Sequence, residues 1–185
     1  MVQNGGFEDG EPGDDSEAQK WDQIQTVATA GRSHDEAHTD GWSMRLGIPR
    51  GGTPEKSHSS ARQRLEIPSG SVVSATLQFW YFTESDRTPS DVKDGHYFFI
   101  FDRCGNDHLI GVLDNSQRDL RAWETASYDL SGYDWPITVH FEVANHDSAG
   151  SSRMYIDDVS VHICVDEGSQ SPGRSAYGGL VEAAY

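Results

Sequence analysis

The sequence predicts an all-β chain, a two-sheet antiparallel β-sandwich of jelly-roll topology. Three observations carry that expectation. Apolar and polar residues alternate in several short segments, glycine and proline (19 and 7 of 185 residues) fall between them, and no run of 12 residues shows a helical apolar stripe. About nine short strands with polar turns fit a two-layer sandwich better than a small closed barrel.

Taken in order, the expected strands are Ile24 to Ala28, Trp42 to Leu46, Ala61 to Ile67 and Val73 to Tyr81, then Tyr97 to Phe101 and His108 to Leu113, and last Trp123 to Asp129, Ile137 to Val143 and Met154 to Val165. The period of two is clearest in Val73 to Tyr81, where odd positions are apolar and even ones polar apart from Trp80. In Ile137 to Val143 it turns Ile137, Val139, Phe141 and Val143 inward and Thr138, His140 and Glu142 outward. By the same parity Arg62 and Arg64 point away from Ala61, Gln63, Leu65 and Ile67. The segment Asp102 to Asp107 reads as a hairpin loop, since Gly105 and Asn106 tolerate the left-handed conformation such turns need.

Three segments read as loops: Asp9 to Gln19, Pro49 to Ser60 and Glu84 to Gly95. Residues 1–165 are expected to form one domain, and residues 166–185 a linker or C-terminal tail that starts polar and ends in Leu180 to Tyr185.

Charge narrows the function classes. Lys plus Arg number 14 against 30 Asp plus Glu, a formal net charge of −16. Nucleic acid and anionic lipid are bound by clustered cations, so neither is an expected partner. No apolar run approaches the ~20 residues that span a bilayer, and Met1 is followed by Val-Gln-Asn-Gly-Gly without the basic and apolar parts of a signal peptide. If the protein is exported, its leader has been removed or lies upstream. Cys104 and Cys164 are too few for a disulfide framework or a Cys-rich zinc site; one bridge and two free thiols are both open readings.

Asn4-Gly5-Gly6-Phe7-Glu8 with Trp21, Thr39-Asp40-Gly41-Trp42-Ser43-Met44-Arg45-Leu46-Gly47, and Tyr155-Ile156-Asp157-Asp158-Val159-Ser160-Val161 stand in that order. Together they resemble the calcium-containing β-jelly-roll carbohydrate-binding modules, of the family-four, family-nine and family-twenty-two type, of secreted proteins. The resemblance covers about residues 3 to 165. It implies a non-catalytic, secreted or cell-surface module that binds a polysaccharide or glycan.

The resemblance also implies a structural Ca2+ joining the N-terminal segment, an early loop and the last strand. Glu8, Asp40 and Asp157 would supply carboxylates, and Gly6 and Ser43 carbonyl oxygens, the hard donors calcium takes at ~2.3–2.6 Å. Strict alternation sets Asp157 in line with Val159 and Val161, where an unpaired carboxylate would be costly without a cation. Asp158 is the alternative ligand.

A sugar site on a β-sandwich needs an aromatic platform and a polar rim. If the clearest strands lie in one sheet, Trp80 and Tyr97 form the platform and Arg64, Gln78, His140 and Glu142 the rim. His58, Asp86 and Lys93 are loop residues within reach of such a ligand, while Trp21, Trp42, Trp123 and Trp135 read as core or edge. No Gly-x-Ser-x-Gly elbow occurs, and His34 and His38 sit four apart in a loop, where that spacing aligns no zinc ligands, so no catalytic site is expected. The rival reading is a structural or adhesive subunit of an extracellular assembly, in which the tail contacts a second copy or a neighbouring module.

A calcium site would use only a few of the 30 acids. The rest read as a solvated shell suited to high salt, where screening relieves self-repulsion. Folding stability is therefore expected to rise with added sodium chloride even at saturating calcium; a melting temperature that stays flat or falls would sink the halophilic reading.

Overall fold

A computed structural model describes residues 1–11, 13–25, 28, 30–67, 70–86, 94–105, 107–115, 121–148 and 150–166. Lys93 and residues 167–185, which hold nearly all of the expected tail, lie outside the described residues. The strands are Gly10–Glu11 (β1), Asp14–Ala18 (β2), Asp22–Gln25 (β3), Gly31–Ser33 (β4), Ser43–Gly47 (β5), Ser57–Leu65 (β6), Ser71–Ser85 (β7), Gly95–Phe101 (β8), Asp107–Asn115 (β9), Trp123–Asp129 (β10), Ile137–Asn145 (β11) and Ser152–Asp166 (β12).

One sheet has the order β10-β7-β12-β5-β4 and the other β3-β6-β11-β8-β9, with β1-β2 as a small separate ribbon, and every pairing is antiparallel. This is the two-sheet jelly-roll-like sandwich the alternation predicts. Part of Asp9 to Gln19, expected as loop, is the β1-β2 ribbon. Ser57 to Ser60, also expected as loop, extends β6, because Ser57 and Ser59 face inward and are small enough to be buried there. The Asp102 to Asp107 turn joins β8 to β9 as a hairpin, with Gly105 at φ +80°.

The inward faces interlock around aromatic rings. Phe141 of β11 lies 4.8 Å from Phe79 of β7 and 5.3 Å from Phe98 of β8, while Trp21 bridges Phe141 to Phe7 of the N-terminal segment. Phe7, Phe79, Phe98 and Phe141 are all fully buried. A buried cation sits on the central strand β12, between β5 and β7. Arg153 donates from Nε to Glu84 (3.1 Å), from Nη2 to Asp86 (2.7 Å) and from Nη1 to the Ile48 carbonyl (3.3 Å). Three acceptors for one guanidinium offset its desolvation.

The alternation fails at one place. In β12, Asp157 pairs with Trp80 but Ser160 pairs with Gln78, so two residues oppose one, and Asp158 takes φ +50°. This β-bulge reverses the parity of the strand. Val159 and Val161 point into the core, whereas Asp157 shares the outer face with Tyr155, contrary to the unbroken alternation. Asp157 is still fully buried, under the segment between β4 and β5.

Cys104 and Cys164 are free and exposed, which answers the open question of a bridge. No helix among the described residues is long and apolar enough to cross a membrane.

Phe141→Ala should cost about 3–5 kcal/mol in urea unfolding, because the three aromatic rings around it, Trp21, Phe79 and Phe98, cannot collapse into the space it leaves. An effect below about 1 kcal/mol would show that the two sheets do not interlock through this ring.

Candidate functional site

The residues expected to bind a glycan divide between the two sheets. Arg64, Tyr97, His140 and Glu142 lie on β6, β8 and β11 of one sheet; Gln78 and Trp80 lie on β7 of the other. The premise of one shared sheet is therefore corrected. Gln78 is exposed, and Trp80 is capped by the His38 imidazole, stacked 3.9 Å above it at 15°.

The first sheet presents a continuous outward surface. Its register sets Arg64, Thr138 and Phe101 in one row, Arg62, His140 and Phe99 in the next, and Ser60, Glu142 and Tyr97 in a third. Tyr97, Phe99 and Phe101 alternate along β8 with the buried His96, Phe98 and Ile100. Their centroids are 5.9 Å and 6.3 Å apart, and His140 meets Phe99 and Phe101 edge-on at 5.7 Å and 5.4 Å. Gly95 makes room for this strip: a Cβ there would lie 2.1 Å from the Tyr97 ring. Phe99 and Phe101 escape sequence reasoning because six consecutive apolar or aromatic-type residues from 96 to 101 hide the parity that would separate core from surface. Arg62 was legible as outward-facing but carried no role.

Beside the strip, Glu142 is held between two histidines, accepting from His140 Nε2 (3.3 Å) and His58 Nδ1 (3.2 Å). A carboxylate only accepts, so each of those nitrogens carries its proton, and the buried Nδ1 of His140 is left without a partner. The His140 hydrogen bond, with a smaller contribution from His58, outweighs burial and holds the Glu142 carboxyl below its ordinary range. Next to these rows a cleft of about 340 Å³ is lined by Asp22, Arg62, Arg64, Phe101, Gly105 and Thr138. Of the rim candidates, His58 belongs to this surface, while Asp86 is committed to Arg153 and Ser151.

Comparison with known proteins finds no matching family model and no curated protein. Solved structures do match. TmCBM61, solved in complex with β-1,4-galactotriose, is 16% identical, with a TM-score of 0.60 over 88% of this chain and 97% of that one. The chain has the fold of the jelly-roll carbohydrate-binding modules. The K3 cleaved adhesin domain of Lys-gingipain from Porphyromonas gingivalis is also 16% identical, with a TM-score of 0.51 over 87% of this chain and 98% of that one. The enzymatically active domain of bacteriophage CBA120 tailspike protein 4 gives 0.51 at 16% identity, this chain covering 21% of it. At such identities the likeness is one of fold.

In the module fold of this chain, the expected metal ligands cluster only in part. Gly6, Glu8 and Asp157 meet at one junction: a Cβ on Gly6 would stand 3.9 Å from Oδ1 of both Asp157 and Asp158, and 4.0 Å from Cγ of Glu8. Backbone N–H groups already fill much of their capacity. Asp157 accepts from His38, Thr39 and Asp158, and Glu8 from Gly41 and Trp42. Asp40 is exposed at φ +51°, and the Ser43 hydroxyl donates to the Glu36 carbonyl. Among the described residues no three His, Cys, Asp or Glu side chains stand close enough to hold a metal by themselves. Burial nevertheless pushes the Asp157 carboxyl up to about 6 despite its three donors, so its charge is under-compensated.

The sign of the Glu142 effect fixes a pH dependence. A carboxyl whose pKa is depressed on folding adds stability above its unfolded value and loses it as pH falls through the folded one. Glu142→Gln should therefore flatten the stability loss that sets in as pH falls below the ordinary glutamate value in urea titrations. An unchanged acid slope would refute the two-histidine clamp.

Proposed function

We propose that this chain is a non-catalytic extracellular module that holds a polysaccharide on the outward face of β6, β11 and β8. The observation that carries the reading is the unbroken strip of Tyr97, Phe99 and Phe101 with hydrogen-bonding groups along one side. Pyranose rings stack their C–H faces on aromatic surfaces, and Arg64 supplies donors and Glu142 an acceptor for hydroxyls, with His140 orienting the Glu142 carboxylate. The fold likeness to a module solved with a galactotriose is consistent with this use. Gln78 and Trp80 fall outside the proposed surface.

The second part of the proposal is a structural Ca2+ at the junction of Gly6, Glu8 and Asp157. Calcium there would draw on the Glu8 and Asp157 carboxylates and the Gly6 carbonyl, and it would supply the positive charge that buried Asp157 lacks. Asp40, exposed on the segment between β4 and β5, and the Ser43 carbonyl, at the start of β5, would complete the set. Melting temperature should rise with calcium and fall with EDTA, and Asp157→Asn should abolish the difference; a wild-type protein indifferent to both would remove calcium from the reading.

The fold is shared with an adhesin domain, which favours adhesion to proteins as the second reading. A glycan array separates the two. Retention of at least one polysaccharide, weakened tenfold or more by Phe99→Ala, is expected of the binding module. A silent array, with self-association lost on deleting residues 167–185, is expected of the adhesive subunit.

A further inference from the structure

The cleft lined by Arg62, Arg64, Thr138 and Phe101 has a chemistry different from the rest of the surface. Across the whole chain acids outnumber Lys and Arg by 30 to 14. Here the balance reverses: this cleft and the adjoining hollow of about 290 Å³, which share Asp22 and Arg64, are lined by Lys20, Arg62 and Arg64 against Asp22 and Glu66. Neither carboxylate ties its arginine down. Arg62 meets Asp22 through Nε at 3.3 Å with the side chains 45% and 75% exposed, and Arg64 meets Glu66 through Nε at 2.7 Å with both about two-thirds exposed. Ion pairs this exposed contribute little to stability, and a ligand anion can take the place of either carboxylate. Beyond those Nε contacts, neither guanidinium has another partner among the described residues.

The row Arg64, Thr138, Phe101 spans three adjacent strands, roughly 10 Å from first to last at the ordinary strand spacing. Thr138, the short residue in the middle, is the floor. Phe101 offers an apolar wall and the two arginines a wall of donors. Guanidinium groups cannot accept hydrogen bonds, so a neutral sugar would leave its hydroxyl donors poorly served on that side, whereas a carboxylate matches the planar fork.

We infer that the polysaccharide held on this face is a uronan, with one uronate ring against Phe101 and its carboxylate on Arg62 and Arg64. The inference rests on the glycan-binding reading above. Beyond a Debye length of about 8 Å at physiological salt, the acids elsewhere on the chain are screened and do not cancel this local field.

The test is affinity electrophoresis and calorimetry with polygalacturonate, alginate and hyaluronate, each paired with its methyl-esterified form. Neutral β-1,4-galactan, dextran and dextran sulfate serve as comparators. At least one uronan should bind tenfold or more tighter than its ester, and Arg62→Gln/Arg64→Gln should erase that difference while the melting temperature stays unchanged, both side chains being exposed. Three results overturn the inference. Dextran sulfate retained as well as any uronan would reveal simple anion exchange. Galactan or esters retained, with no preference for the free acids, would leave the glycan-binding reading standing and remove the carboxylate. No retention of any polysaccharide would remove both.

Discussion

The fold depends on a junction where three chain segments far apart in sequence satisfy one another's polar groups. Asn4 bonds through its side chain to the Asp9 amide and to the Asp9 and Gln19 carbonyls, closing the turn that delivers Phe7 to the core. The Gly5 carbonyl accepts from Val159 at 2.9 Å, an approach that permits no side chain, since a Cβ would lie 2.0 Å from the Val159 oxygen. Glu8 then takes the amides of Gly41 and Trp42, and Asp157 those of His38 and Thr39. Arg32 adds bonds to the Phe7 and Glu8 carbonyls at 2.7 Å. Removing any one of these partners leaves a polar group with reduced access to water, so the segments order together.

Much of this was legible in the sequence, for identifiable reasons. Strands with one buried face announce themselves by alternation, and Ile137 to Val143 lies where that signal is clean. The motifs at residues 4–8 and 155–161 do come together. What alternation does not encode is which sheet a strand joins. Val73 to Tyr81 and Ile137 to Val143 have the same pattern, yet they sit in opposite sheets, and Trp80 and Gln78 went with the wrong partners on that account. A bulge is equally silent: nothing in Asp157-Asp158-Val159 reports that Asp158 adopts φ +50° and inverts the faces on either side. Short strands such as Gly31–Ser33, three residues without an apolar side chain, carry too little period to detect.

The two outer faces have different characters. Over β7 and β12 the segment between β4 and β5 lies across the sheet, with His38 on Trp80, Thr39 and His38 on Asp158, and Asp35 near the buried Tyr155 hydroxyl, whose pKa is pushed up to about 12 chiefly by burial. That face spends its aromatic rings on holding its own covering loop. Over β6, β11 and β8 the aromatic strip stays half-exposed, and its hydrogen-bonding groups pair mainly with one another.

Strand Gly95–Phe101 contributes the rings of that surface from its odd positions and, from its even ones, the core residues Phe98 and Ile100. The half-exposed rings and the core are thus written into the same seven residues in antiphase. A single inserted or deleted residue would exchange the two roles, putting core side chains outside and the exposed rings inside. Variation of that surface is consequently confined to substitutions at fixed length in this strand and its neighbours and to changes in the loops, where length is free to drift without dismantling the sandwich.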